Sequence, residues 1–331
     1  MARYDIYGIG GALVDTEVHV SDGFLMDKNI EKGVMTLVSE SQQRDLLGFL
    51  ASKNCQFVRK CGGSVCNSVV AAASLGASTF FSGKVADDID GELYISDLNE
   101  AGVDFHSAGQ EPGITGKCLV LVTGDAERTM NTFLGASDSL SSREIDWDAL
   151  KNSDWFYVEG YLVTDEARKT TVKAAIKFAK ANNVRIAISL SDPFLVEVFG
   201  DALRDLMDIG VDLIFCNKDE ALAFTDEDDL DSAMQALKQF TETFVITDGR
   251  NGAVSFDGKS VVRAEGIAVQ AIDTNGAGDM FAGVFLYAIT SGKNYDWAAR
   301  LANICAASVV EQFGPRLDLE VLTEIKKRFD A

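Results

Sequence analysis

The chain has 331 residues, of which 47% are hydrophobic and 24% charged, and its net charge is −21. This length allows two domains or one large α/β domain with an insertion. No apolar run of about 20 residues is present to cross a bilayer, and so acidic a chain is excluded from nonspecific attraction to nucleic-acid phosphates, which needs clustered Lys and Arg. Six scattered cysteines with no CxxC pair, and two histidines, argue against a zinc site and for reduced thiols in a cytoplasmic protein.

The first residues, MARYDIYGIGG, lack a basic start followed by an apolar stretch and a cleavage site, and they read as a first strand. GIGGAL places Leu13 where a dinucleotide fingerprint needs Gly or Ala, and no GxxxxGK[ST] occurs, so neither a Rossmann cofactor site nor a Walker loop is supported. Residues of about 13–38 (TEVHV, GVMTLV) and 105–135 (GKCLVLVTGDAERTMNTFLG) alternate in polarity without a crossover helix. That pattern predicts strand pairs inserted into one α/β body and forming a small sheet, a lid over the active-site edge of the main sheet. Between them, CGGSVCNSVVAAASLG opens a helix at Ser64. Gly62 and Gly63 allow close approach of backbone, Ser64 can cap, and Asn67 projects an amide suited to a polyhydroxyl ligand. Read alone, the stretch is equally a turn entering a packed helix. TFFSGKV follows as a strand and 88–101 as a helix.

From about residue 154 short apolar runs alternate with helices: WFYVEG, a helix over 165–181, VRIAISL, a helix near 194–207, VDLIFCN, further helix, and TFVITDG. This alternation predicts βαβ units and a buried parallel sheet. In CNKDE, Asn217 and Glu220 follow a strand and lie three apart, on one face of the helix that starts there. Oxygen ligands in that place suit Mg²⁺, while alone the pair is a favourable polar start to a helix.

DTNGAGDMFAG spans Asp273 to Gly283. Thr274 or Asn275 can cap a helix while Gly276, Ala277 and Gly278 leave their amides open at its positive end, which makes a phosphate cradle. A carboxylate at Asp279 would repel a bound phosphate unless it is there to take a proton from an attacking hydroxyl. Without other evidence an ordinary strand-to-helix turn accounts for the stretch as well.

Taken in order, these stretches resemble the ribokinase-like carbohydrate kinases, the phosphofructokinase-B family that includes adenosine kinase. DTNGAGD matches its C-terminal signature, GGSVCNSVVAAASLG its N-terminal one, Asn217 to Glu220 its N-x-x-E, and Asp15 in GGALVD its substrate aspartate. The resemblance implies an α/β/α sandwich with a β-lid, ATP and Mg²⁺ at the donor side, and a sugar or nucleoside hydroxymethyl as acceptor. It also implies Asp279 as base, the amides of Asn275, Gly276, Ala277 and Gly278 as anion hole, and Asp15, Gly63 and Asn67 on the acceptor. Asp248, Gly249 and Asn303 would lie in the ATP site, and K⁺ beside the anion hole is a further implied cofactor. TGDAERTMNTFLGA is similar to the adenosine-kinase-like branch and brings Arg128 toward the transferred phosphate, while VEGYL offers Tyr161 as a stacking residue or as packed core. Gly11 departs from the polar residue many relatives carry, which leaves sugar, adenosine, inosine and guanosine open as acceptors. The chain is expected as a monomer or homodimer with small-molecule partners only. A non-catalytic ligand sensor on the same fold is the rival from another class, and Asp279, Asn217 and Glu220 together count against it.

Overall fold

The computed structural model describes residues 4–106 and 111–330. Strands β1 (Tyr4–Ile9), β2 (Leu13–His19), β3 (Met35–Leu37), β4 (Val58–Gly62), β5 (Thr79–Ser82), β6 (Val103–His106), β7 (Gly116–Val122) and β8 (Arg128–Phe133) make up the first part of the chain. They are followed by β9 (Ser153–Val158), β10 (Arg185–Ser189), β11 (Val211–Asn217), β12 (Thr241–Thr247), β13 (Gly252–Phe256) and β14 (Val261–Glu265).

Among the described residues the large sheet has the order β14-β13-β12-β11-β10-β9-β1-β5-β6. It is parallel from β12 through β6, and β13 and β14 extend it antiparallel. The parallel strands are apolar on both faces because helices cover both. On β9, Trp155 and Tyr157 enter one core, with helices Ser64–Ser74 and Ala277–Thr290, while Phe156 and Val158 enter the other, with helices Glu166–Ala181 and Pro193–Met207. Fully buried side chains such as Phe156 and Val158 each contribute ~1.5–3 kcal/mol. The result is the parallel sheet that the alternation predicts, in the three-layer α/β/α sandwich that the family resemblance implies.

Helix ends fall where local caps allow. Asp165, Asp192 and Asp88 accept from the first-turn amides of the helices they precede.

The smaller sheet runs β3-β8-β7-β2-β4. One face packs Val18, Leu119 and Leu121 against the helices Asp22–Asp27 and Glu40–Ser52; the other sets Cys118, Val120 and Val122 beside Phe313. Two details differ from the sequence reading. β4 pairs antiparallel with β2, although VRKCG shows no alternation that announces a strand, and β6, at the start of the expected second insertion, belongs to the large sheet. The expected stretch at 107–110 lies outside the described residues.

Topology then sets where a ligand can go. The chain runs outward from β1 on one side to β5 and β6, and later returns to β9 on the other side of β1. In open parallel sheets the crevice at the carboxyl ends beside such a reversal is the usual ligand site.

Candidate active site

A cavity of about 240 Å³ opens at the carboxyl ends of β1, β9 and β11, beneath the small sheet. Its walls bring together Asp15, Gly63, Asn67, Arg128, Tyr161 and Asp279, which lie far apart in sequence.

Asp279 sits in the first turn of helix Ala277–Thr290. Ser64 Oγ donates to its Oδ1, Asn67 Nδ2 to its Oδ2 at 2.9 Å, and Ser68 Oγ to its backbone carbonyl at 2.9 Å. Burial raises the Asp279 carboxyl above its ordinary range, and the donors Ser64 and Asn67 and the cations Arg128 and Arg316 hold the rise in check. The other acid of the motif does different work. Asp273 is fully buried and accepts from Asn275 N at 2.9 Å and Gly314 N at 3.1 Å, so it pins the turn.

The turn departs from the expected capping. Neither Thr274 nor Asn275 caps the helix: the N-cap is Gly276, at φ +76 with no side-chain cap. Thr274 Oγ1 instead donates to Ala126 O, and Asn275 Nδ2 to Glu17 Oε1 at 2.8 Å. Long-range partners on the small sheet have taken the two side chains, which leaves the helix start without a side chain over it. Of the four amides expected to face an anion, that of Asn275 is taken by Asp273 and that of Ala277 leans on Thr274 O at 3.4 Å. Gly276 and Gly278 line the cavity. Gly276 must be glycine, because a Cβ there would lie 2.4 Å from Pro315 O.

The helix Ser64–Ser74 begins in the same manner. Its N-cap is Gly63, at φ +97, where a Cβ would stand 2.1 Å from Gly11 O; Ser64 is not the cap and spends its hydroxyl on Asp279. The first-turn amide of Val65 goes to Glu159 Oε2 at 3.2 Å, and Glu159 Oε1 accepts from Gly11 N at 3.1 Å. Glu159, 4% exposed, therefore ties the end of β1 to the start of this helix, and burial raises its carboxyl to about 7. Asp15, 6% exposed on β2, faces the cavity with its carboxyl raised well above normal, first by burial and then by Glu17. Glu17 is itself raised to about 7 by burial. Its position two residues after Asp15 on one strand face was a readable signal, as was Glu159 directly after an apolar strand.

Arg128 Nη1 donates to Thr274 O at 2.8 Å, so a cation of the small sheet rests on the motif turn. Tyr161 is half-buried on the cavity wall, with its hydroxyl 3.5 Å from Asp192 Oδ2. Asn217 and Glu220 line the cavity too, but they form a reciprocal capping box: Asn217 Oδ1 accepts from Glu220 N at 2.8 Å, and Glu220 accepts from Asn217 N and Nδ2. Burial raises Glu220 to about 7.

Asp248, Gly249 and Asn303 do not line this cavity. They gather at a neighbouring edge. Gly249–Asn251 leads into β13, Gly252 pairs with Glu265 at the end of β14, and Asn303 Nδ2 donates to the carbonyls of Ala264 and Glu265. The segment that follows exposes Ile267, Val269 and Ile272, an apolar surface.

Comparison with known proteins bears on the family and the fold. The pattern described as pfkB family carbohydrate kinase matches residues 35–322. An adenosine kinase of Saccharomyces cerevisiae is 30% identical over 285 residues, covering 80% of this chain and 82% of its own. The crystal structure of adenosine kinase from Sinorhizobium meliloti superimposes with a TM-score of 0.92 at 33% identity, over 99% of this chain and all of its own. A probable sugar kinase from Rhizobium etli gives 0.93 at 31% identity, over 99% of both chains. With a signature turn carrying Asp279, the matching architecture and a family pattern over most of its length, the chain belongs to the pfkB family of carbohydrate kinases, phosphotransferases with a hydroxyl acceptor.

Proposed function

We propose that the chain transfers the γ-phosphoryl of ATP to the primary hydroxyl of a nucleoside of the adenosine kind. The observation that carries this reading is Asp279, a carboxylate held by Ser64 and Asn67 beside an uncapped helix start, in one cavity with Asp15 and Gly63. Asp15, Gly63 and Asn67 would bind and orient the acceptor. Asp279 would take the proton of its hydroxyl as the oxygen moves onto phosphorus. The amides of Gly276 and Gly278, with Ala277 and Asn275 reorienting as the phosphate enters, would stabilise the transferring group, and Arg128 adds a cation in a chain of −21 charge. Closure of the small sheet as a lid would exclude water, suppressing hydrolysis of ATP. Similarity to adenosine kinases of two organisms, together with Tyr161 on the cavity wall as a surface for a base, favours the nucleoside over a sugar.

The nucleotide would lie along Gly276 and Gly278 toward Asp248, Gly249 and Asn303, with its base on the exposed Ile267, Val269 and Ile272. Glu220 has used part of its accepting capacity on Asn217, and the lone pairs left fit water of a hydrated Mg²⁺, which would neutralise the phosphates. Behind the turn, Glu17 Oε2 is buried without a hydrogen-bond partner among the described residues and close to Asp273, a setting that fits K⁺. Six free cysteines among the described residues, and no helix there long and apolar enough to cross a membrane, support a cytoplasmic enzyme. With one face of the small sheet covered by its own helices and the other turned toward the cavity and Phe313, we read the chain as a monomer.

The test is ATP consumption over a panel of nucleosides and sugars, with Mg²⁺ and with K⁺ exchanged for Na⁺. Adenosine is expected to give the highest kcat/KM. Turnover of ribose or fructose with none of any nucleoside would move the chain to the sugar kinases, and binding without turnover for every acceptor would make it a sensor.

A further inference from the structure

Arg316 belongs to the segment between helices Tyr295–Val309 and Leu319–Asp330 and does not line the cavity. Its guanidinium is committed in three directions: Nη1 to Asp97, Nη2 to Cys66 Sγ at 3.3 Å, and Nε to Asn67 Oδ1 at 2.8 Å. A guanidinium only donates, whereas an amide has one accepting and one donating end. The Nε contact therefore fixes Asn67 with Oδ1 toward Arg316, and the Nδ2 end must point the other way, where it donates to Asp279 Oδ2 at 2.9 Å. Were the amide reversed, its oxygen would face the carboxylate and favour the protonated acid.

We propose that Arg316 is a positioning residue for phosphoryl transfer, setting through the orientation of the Asn67 amide which end of that amide meets Asp279. The inference rests on the reading of Asp279 as base. Asp279 is faced by Ser64 and Asn67 from helix Ser64–Ser74, by Arg128 from the small sheet, and by Arg316 itself. Asp15 on β2, Tyr157 on β9 and Glu159 just beyond it also interact with it. Among these Asn67 is the amide, whose donating and accepting ends exchange places on a half-turn about one bond, and Arg316 is the group bonded to its accepting end.

The test compares Arg316→Met, which removes the donor, with Arg316→Lys, which keeps one. Two readouts are used: the pH profile of kcat with the best acceptor, and a ¹³C NMR titration of the Asp279 carboxyl in ligand-free enzyme. Arg316→Met is expected to raise the acid limb by about one pH unit, a tenfold change in proton affinity, and Arg316→Lys to restore most of it. In an Asn67→Ala background Arg316→Met should move it no further. An unmoved limb in Arg316→Met, or an equal shift in the Asn67→Ala background, overturns the proposal, the latter by showing that the charge acts directly. Should Arg316→Met not fold, Asp97→Asn loosens the other arm and should shift the limb in the same direction by less; no shift overturns the proposal. Wild-type turnover in Asp279→Asn would remove the base reading together with this inference. Lost turnover there, with a limb unmoved by Arg316→Met, removes only the inference.

Discussion

The two ends of the site are built from different materials. At the proposed acceptor end, Asp15, Asn67, Glu159 and Asp279 are side chains from four separate parts of the chain, buried or half-buried, with Asn67 bonded to Asp279 and Glu159 to the amides of Gly11 and Val65. At the proposed nucleotide end lie a glycine turn, an exposed apolar segment, and Asn303 holding two backbone carbonyls. Fixed, partly desolvated charges are what proton transfer requires, whereas a nucleotide base needs only a surface and a few backbone groups. The acceptor end should therefore be intolerant of change in rate, and the nucleotide end tolerant.

The largest effect that would sharpen this contrast is at Asp279. Asp279→Asn should lower kcat by roughly two to four orders of magnitude with little change in nucleotide affinity, as steady-state kinetics and nucleotide titration would read. In the proposed role Asp279 acts ionised, and burial raises its carboxyl, so wild-type kcat should fall with acid already above the usual carboxylate range. Next is Gly63. At φ +97, Gly63→Ala takes on a backbone penalty of about 1–3 kcal/mol and a contact with Gly11 O, and denaturant melts should show the loss along with a raised KM for the acceptor. Glu159 follows, through pH. Its folded carboxyl near 7 lies above its ordinary value of 4.5, so the folded state holds the extra proton and stability falls as pH rises from about 4.5 to about 7. Glu159→Gln should flatten that part of a Tm-against-pH curve; an unchanged slope would mean another group carries it. The smallest effect should be Asn303→Ala, which loses hydrogen bonds worth about 1 kcal/mol each. It should raise the KM for ATP less than tenfold and leave kcat alone; a large fall in kcat there would break the contrast between the ends.

What could be read in the sequence was whatever the chain keeps together. The helices over 165–181 and near 194–207 announce themselves by capping acids and period, and Asp279 by its neighbours within one turn. Residues that act across the fold left weaker traces. Glu159 reaches Gly11, 148 positions away, and Arg316 reaches Asn67 over 249; nothing beside either residue marks the partner. The caps assigned to Thr274, Asn275 and Ser64 failed for the same reason, because distant groups outcompeted the local amides for those side chains. β4 stayed hidden since only Cys61 and Gly62 of its five residues are buried, so burial imposes no alternation on it.

The most direct measurement is a crystal structure with adenosine, Mg²⁺ and a non-hydrolysable ATP analogue. The account predicts the acceptor's primary hydroxyl oxygen about 2.6–3.2 Å from an Asp279 carboxylate oxygen, with the analogue's terminal phosphate on the amides of Gly276 and Gly278. A ternary complex in which that turn faces away from the phosphate, or in which Asp279 stays bonded to Ser64 and Asn67 with no substrate hydroxyl in reach, would contradict it.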